Sequence, residues 1–128
     1  MASRVRILIV EDDEKSRRLL TDVLAFHGYE VAAAGTGEEG VRSASSAAPD
    51  AALLDIQLPG ISGFEVLAAL REPRCCGERL PVVAVTASVM DQDRKKILAA
   101  GFNAFISKPV NIRELLATLE SLLTKAAT

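Results

Sequence analysis

Acidic, basic and hydroxyl side chains follow four separate apolar runs in this sequence. The groups and the runs they follow are Glu11-Asp12-Asp13 after Val5–Val10, Asp55 at the end of Ala51–Asp55, Thr86 after Pro81–Val85, and Lys108 after Asn103–Ser107. Short apolar runs bounded by turn residues are typical of strands buried in a parallel sheet. Because the carboxyl ends of parallel strands share one edge, where ligands bind, we expect these side chains to form one cluster.

The chemistry of such a cluster is restricted by its charges. Crowded carboxylates repel one another unless some are protonated or a cation lies among them, and oxygen donors without His or Cys favour Mg²⁺. The Lys108 ammonium and the Thr86 hydroxyl could both hold an anionic oxygen. A carboxylate such as Asp55 can act as a covalent nucleophile. The cluster therefore favours transfer of a phosphoryl group to Asp55, a reaction that depends on positioning and charge neutralisation.

Each of these residues also has an ordinary structural explanation. The run from Glu11 to Asp13 could cap the first helix and interact favourably with its dipole. Asp55 and Thr86 could be turn residues, and Lys108 could be a solvated loop side chain. The functional interpretation is favoured because each group falls at the end of a different predicted strand.

Helical segments alternate with the strands along the chain. Capping residues Thr36, Ser62 and Asn111, each with Glu three positions later, predict the starts of three helices. The other two are predicted over 14–27, with Leu19, Leu20, Val23 and Leu24 on one face, and over 90–100. Five strands, including a weaker one at 29–34, and five helices predict a three-layer, doubly wound α/β fold. We expect a five-stranded parallel sheet in the flavodoxin-like order 2-1-3-4-5.

Length and composition exclude several classes of protein. The 128 residues, 49% hydrophobic and 25% charged, suit one globular domain over 1–128, with its core at about 5–123. A net charge of -2 without a basic stripe does not favour nucleic acid as a partner. No apolar run approaches the ~18 residues of a membrane span. The adjacent Cys75 and Cys76 match neither a loop-closing disulfide nor a metal site, which predicts reduced loop thiols in a cytoplasmic protein.

Four motifs together resemble the receiver domain of two-component response regulators, over about Val5 to Leu123. They are Ile-Leu-Ile-Val-Glu11-Asp12-Asp13, Leu-Leu-Asp55 with Pro59-Gly60 and Gly63 after it, Val-Thr86-Ala87, and Lys108-Pro109. The resemblance implies a stand-alone bacterial signalling switch that takes a phosphoryl group from a histidine kinase or a histidine phosphotransfer protein. Apart from self-catalysed, Mg²⁺-dependent phosphotransfer and dephosphorylation, it implies no enzymatic activity.

The resemblance also implies roles for the acidic residues. Asp55 would be the phosphoacceptor, and Asp55 and Asp12 would bind Mg²⁺ directly, together with the backbone carbonyl of Gln57. Glu11 would act on the ion through water. Asp13 lies just outside the family's acidic pair and receives no ligand role.

The remaining matches concern the phosphoryl group and the response to it. Thr86 and Lys108 would contact the phosphoryl oxygens, and Phe105 matches the family's aromatic switch position. The Lys108–Pro109 peptide bond is often cis in this family, and a cis X-Pro bond has a modest cost.

The expected output is contact with other proteins. The chain leaves no room for an output domain, so we expect a change of shape to be read by a downstream signalling protein. We expect partners to bind the surface of the fourth helix, fifth strand and fifth helix. The fourth helix, with its charge run at 91–96 and weak apolar pattern, should be held loosely and move readily. The first helix should contribute to kinase docking. We expect no contact with DNA or membrane, and a monomer or weak dimer.

Three other interpretations compete with this one. Gly35-Thr-Gly37-Glu-Glu-Gly40 matches the dinucleotide-binding fingerprint, but it follows the second strand and Thr36 explains it as a helix cap. A phosphatase with an aspartyl-phosphate intermediate would commonly have a second Asp where Gln57 stands. A receiver domain from a hybrid histidine kinase would have identical chemistry and is the strongest alternative.

Overall fold

The computed structural model describes residues 5–87 and 91–127. Five strands and five helices alternate along this part of the chain. They are β1 (Arg6–Val10), α1 (Glu14–Phe26), β2 (Glu30–Ala34), α2 (Gly37–Ser46), β3 (Ala51–Asp55), α3 (Gly63–Arg71), β4 (Val82–Thr86), α4 (Asp91–Ala100), β5 (Ala104–Ser107) and α5 (Ile112–Ala127). The predicted α/β class is confirmed.

All strand pairs are parallel, and the sheet order is β2-β1-β3-β4-β5, as the sequence predicts. The register explains how the site is assembled. Val10 lies beside Leu54, so the residues that follow them, Glu11 and Asp55, lie at the same edge of the sheet. Asp55 lies beside Val85 of β4, which brings Thr86 to the same edge.

The sheet separates two apolar cores. One core, beneath α2, α3 and α4, includes Leu8, Leu54, Val66, Leu70 and Phe102. The other core, beneath α1 and α5, includes Ile7, Ile9, Leu24, Leu53 and Leu119. Successive residues of a strand point to opposite faces, so the apolar runs supply both cores at once. This explains why β3 and β4 are buried at every position.

The helix starts follow the predicted caps. Thr36, Ser62 and Asn111 accept hydrogen bonds from the backbone N–H groups three residues later. Asp13 caps α1 in the same way through Ser16. Gly28, with a φ of 93°, follows the end of α1, as its position predicts. No helix within the described residues is long and apolar enough to cross a membrane.

One predicted core residue and several element boundaries differ. Leu19 is 58% exposed, so the prediction that it shares the buried face with Leu20 and Leu24 is wrong. It lies about 100° around the helix from Leu20 and falls at the rim of the interface. The strands predicted from Val5, Tyr29, Pro81 and Asn103 each begin one residue later. Met90, the predicted first residue of the fourth helix, lies outside the described residues.

Candidate phosphoryl and metal site

Lys108 lies between two buried carboxylates at the carboxyl edge of the sheet. Its Nζ atom is 2.9 Å from Oδ2 of Asp55 and 3.2 Å and 3.3 Å from the carboxylate oxygens of Glu11. The other Asp55 oxygen, Oδ1, accepts a hydrogen bond from the backbone N–H of Gln57 at 2.9 Å. Both oxygens of Asp55 are therefore oriented by donors, and the Lys108 charge offsets part of the negative charge.

An acidic cluster lies around this lysine. Carboxylate oxygens of Glu11, Asp12 and Asp55 come within 4.8 Å of one another. Glu11 and Asp55 are 2% and 4% exposed, whereas Asp12 is exposed to solvent. The donors are all oxygens, and the open side at Asp12 leaves access for water. This donor set fits a hard cation such as Mg²⁺, which keeps several of its waters.

The electrostatics point in the same direction. Burial, together with the hydrogen bond and negative charge of Asp55, raises the pKa of Glu11 to about 7 against the opposing effect of Lys108. Burial alone would lower the pKa of Lys108, but the hydrogen bonds and charges of Asp55 and Glu11 outweigh it and raise the pKa. Ionisation of Glu11 is therefore unfavourable without a further cation, and a divalent ion would relieve this.

The third acidic residue of the run is separate from the cluster. The Asp13 carboxylate caps α1 by accepting from the Ser16 N–H at 2.9 Å. Hydrogen bonds with the side chain and then the backbone of Ser16 lower the pKa of Asp13. Asp13 therefore acts as the cap of α1 in this structure. Arg17, one turn into α1, donates from Nη1 to the carbonyl oxygens of Glu11 at 2.9 Å and Asp12 at 3.5 Å. Sequence reasoning missed Arg17, because nothing in its spacing distinguishes it from a solvated helix residue.

Two further contacts shape the loops of the site. The backbone oxygen of Thr86 accepts from the Lys108 N–H at 2.8 Å, and the Lys108–Pro109 peptide bond is cis, as the resemblance implies. Gly63 passes so close to β3 that a Cβ there would lie 2.7 Å from the Asp55 carbonyl oxygen. A glycine at this position allows the loop after Asp55 to fold back against the strand.

Thr86 and Phe105 lie on the same face of the sheet. Thr86 is 4% exposed, and Phe105, opposite Ala84, is half-buried against the core beneath α4. The Arg94 guanidinium lies 5.4 Å from the centre of the Phe105 ring. Beside Thr86 is a cleft of about 260 Å³, lined by Ile56, Gln57, Phe64, Thr86, Asp93, Lys96 and Ile97. The site therefore continues directly onto the surface of α4.

The structure brings most of the predicted site residues together. Glu11, Asp12, Asp55 and Lys108 form the cluster, and Thr86 ends the strand next to Asp55. Gln57 contacts the cluster through its backbone N–H, whereas Phe105 lies off it, one strand further along the sheet.

The glycines of the dinucleotide-like motif pack against side chains. A Cβ at Gly40 would lie 2.5 Å from a methyl carbon of Val10, and one at Gly37 would lie 2.5 Å from Ile61. Thr36 caps α2. The glycines thus allow α2 to approach β1 and the loop before α3.

Fold and sequence together define the class of protein. The model of the response regulator receiver domain family matches residues 7–120, and the chain belongs to this family. The chain is 38% identical over 120 residues to the polar-differentiation response regulator DivK of Brucella ovis, covering 94% of this chain and 97% of the relative. The resemblance seen in the four motifs is confirmed.

Solved structures agree. A CheY-like receiver domain protein from Methanospirillum hungatei is 34% identical with a TM-score of 0.88, covering 98% of each chain. A putative response regulator from Chloroflexus aurantiacus is 32% identical, also with a TM-score of 0.88, covering 95% of this chain and 99% of its own. Members of this family are signalling switches of two-component systems, which receive their signal from kinases or phosphotransfer proteins. They use Mg²⁺ at an acidic pocket, which here corresponds to the cluster of Glu11, Asp12 and Asp55.

Proposed function

We propose that this protein is a phosphorylatable switch in which Asp55 accepts a phosphoryl group from the phosphohistidine of a histidine kinase or phosphotransfer protein. The observation that carries the proposal is the Lys108 ammonium, held between the buried carboxylates of Asp55 and Glu11 at the sheet edge. A lysine placed there can exchange its contact with the carboxylate for one with a phosphoryl oxygen, since its ammonium lies on a flexible side chain and has three rotatable donors.

In the transfer step, a carboxylate oxygen of Asp55 attacks the phosphorus atom and the phosphorus–nitrogen bond of the donor breaks. The nitrogen keeps the bonding electron pair, and the new acyl phosphate keeps the three phosphoryl oxygens. The Gln57 N–H fixes one carboxylate oxygen, and Lys108 releases the other as it moves to the phosphoryl group. The Thr86 hydroxyl, on the adjacent strand, donates to a second phosphoryl oxygen. Positioning and charge neutralisation supply the catalysis.

The cation would be held by Asp12 and Asp55 directly, by the Gln57 carbonyl, and by Glu11 through a water. When bound, Mg²⁺ neutralises charge that develops on the phosphoryl oxygens. Glu11 and Asp55 are buried and fixed by Lys108, whereas Asp12 lies at the solvent side, where an ion would enter.

Phosphorylation is read through Thr86 and Phe105. A hydroxyl drawn toward the phosphoryl group leaves space on the α4 side of the sheet, and the half-buried Phe105 ring turns into it. Arg94, which lies over that ring, moves with it and shifts α4. A few kcal/mol of differential contact suffices for such a population shift. A downstream protein in the cytoplasm then binds the surface of α4, β5 and α5, while α1 contributes to kinase docking.

Incubation with acetyl phosphate and Mg²⁺ tests the acceptor. We expect one phosphate per chain by intact mass in the wild type and none in Asp55→Asn. Asp13→Asn is the matched control, because Asn caps a helix as well as Asp and the change also removes one charge from the same edge. It should label like the wild type. Full labelling of Asp55→Asn would overturn the assignment.

A further inference from the structure

Cys75 and Cys76 form a close pair of thiols at the opposite end of the molecule, in the loop between α3 and β4. Their sulfur atoms are 3.1 Å apart, and both side chains are half-buried and free. The sequence predicted reduced thiols in a surface loop, whereas the structure packs both against the core beneath α3. The chain contains two cysteines, so any reaction that needs two thiols would involve this pair.

The loop holds the pair in place through its backbone. The Cys75 N–H donates to the Glu72 carbonyl at 2.9 Å, and the Cys76 N–H donates to the Leu70 carbonyl at 3.2 Å. The guanidinium of Arg71 binds the carbonyl oxygens of Glu78 and Leu80, which closes the same loop. A pair fixed in this way binds a bridging atom without first ordering two separate thiols.

The geometry distinguishes between possible products. The Cys75–Cys76 peptide bond is trans, which fixes the two Cα atoms at about 3.8 Å, below the ~4.4–6.8 Å span of ordinary disulfides. A direct sulfur–sulfur bond would therefore be strained.

A single bridging atom fits the pair better. The two sulfurs are 3.1 Å apart. If one atom bonds to both at about 2.3 Å, the length of a zinc–thiolate bond, the angle between the two bonds at that atom is about 85°. Tetrahedral zinc would require about 109° and two further donors. Trivalent arsenic forms bonds to sulfur of similar length, at pyramidal angles nearer a right angle, and uses its third bond for another group. An open cleft of about 540 Å³ lies beside Cys75 and is lined by Val41, Ser45, Ala69, Glu72 and Arg74. It provides space for a group on that bond, with Val41 and Ala69 as the apolar part of its wall.

We propose that Cys75 and Cys76 form a chelating site for monosubstituted trivalent arsenicals, of which an aryl arsenoxide is the best fit. In the reaction, both S–H bonds and the bonds from arsenic to its oxygen break, two arsenic–sulfur bonds form, and the two thiol protons leave with the oxygen as water. No oxidation state changes. The proposal is independent of the phosphoryl site, since it uses none of its residues.

The reduced protein is incubated with phenylarsine oxide, and intact mass then tests the site. We expect one phenylarsenic group per chain, with loss of the two thiol protons. The adduct should survive excess glutathione, a monothiol, and be released by 2,3-dimercaptopropanol. Cys75→Ser and Cys76→Ser should each lower the affinity by at least about 10²-fold, because chelation is lost. The double variant, which has no cysteine, should bind none.

Several outcomes would overturn the proposal. One is loss of the wild-type adduct to excess glutathione, a measurement that needs no variant and therefore does not depend on a variant folding. Another is an adduct of full strength in either single variant. Methylarsine oxide should bind more weakly than phenylarsine oxide, and equal affinities would contradict the role given to the cleft. Phosphorylation of Asp55, measured separately, distinguishes failure of this proposal from failure of the proposed function.

Discussion

The helices α1 and α4 both begin near the carboxyl edge of the sheet, but they are attached to it in different ways. α1 is capped by Asp13, buries Leu20 and Leu24, and binds the backbone of the acidic pair through Arg17. Burial of a leucine in a core is worth about 2–5 kcal/mol by truncation, so α1 is firmly held. It can therefore act as a fixed wall for the acidic cluster.

The attachments of α4 are weaker. Among its described side chains, 93–100, Ile97 is the buried one, and Leu98 is 50% exposed. Arg94 and Lys96 lie over the rings of Phe105 and Phe64, contacts that are worth about 0.5–1 kcal/mol each at exposed sites. This fold therefore places a firmly attached helix, α1, as a rigid wall on one side of Asp55 and a weakly attached helix, α4, on the other. A switch needs both, because fixed charges hold the phosphoryl group while a low-stability element responds to it.

The largest expected effect is on stability, and it tests how firmly α1 and α4 are packed against the sheet. Leu24→Ala should lower the free energy of unfolding by about 2–5 kcal/mol, because it opens a cavity in the core beneath α1. Ile97→Ala should lower the free energy of unfolding by an amount at or below the lower end of that range, since α4 can shift to fill the cavity. Urea unfolding measures both. In Ile97→Ala, faster amide exchange should be confined to α4, and a loss as large as that of Leu24→Ala would contradict the comparison.

The next prediction separates the metal ligands from the phosphoryl contact. Asp12→Ala should weaken Mg²⁺ binding by about 10²-fold or more, because outer-shell changes alone cost about 10–100-fold and Asp12 is proposed as a direct ligand. Lys108→Ala should retain Mg²⁺ binding, since the lysine contributes positive charge and no ligand. Calorimetric titration of Mg²⁺ into both variants measures this. Equal loss in the two would make the proposed roles wrong.

Several features of the fold and the site could be predicted from the sequence alone. The sheet order followed from the alternation of five strands and five helices in a chain of this length. The cluster of Glu11, Asp55 and Lys108 followed from apolar runs that end in polar residues, because a parallel sheet aligns strand ends. The caps followed from Thr36 and similar residues, because capping is local.

What the sequence could not predict depends on tertiary contacts. Leu19 has the same apolar character as Leu20, and its exposure is set by where α1 meets the sheet. Arg17 donates to the backbone carbonyl of Glu11, and the type of neither residue predicts this contact. Cys75 and Cys76 were predicted as loop thiols, and their burial depends on how the turn packs against α3. The weak apolar pattern of the α4 sequence, by contrast, correctly indicated a helix with few buried side chains.

A smaller effect concerns the response of α4 to a phosphoryl group at Asp55. With beryllium fluoride as a phosphoryl mimic, amide exchange in the wild type should change mainly between Thr86 and Pro109. Thr86→Ala should bind the mimic and lose most of that change, because no hydroxyl links the phosphoryl group to the α4 side. Thr86→Ser, which keeps the hydroxyl, is the control and should respond. Changes confined to the surroundings of Asp55 in the wild type would contradict the proposed output through α4.

The smallest effect tests the rigid wall without touching a charged ligand of the site. Arg17→Gln removes the donor to the Glu11 carbonyl, so the acidic pair should become less ordered and Mg²⁺ affinity should fall by about 10-fold, the lower end of outer-shell effects. Arg18→Gln is the matched control, because it removes the same charge from an exposed neighbouring position. Its affinity for Mg²⁺ should stay within the wild-type range after correction for salt. If both variants lost affinity equally, the effect of Arg17 would be one of net charge, and α1 would not be the positioning element described above. A loss in Arg17→Gln alone, with the unfolding midpoint unchanged, would identify the carbonyl contact as the link between α1 and the acidic cluster.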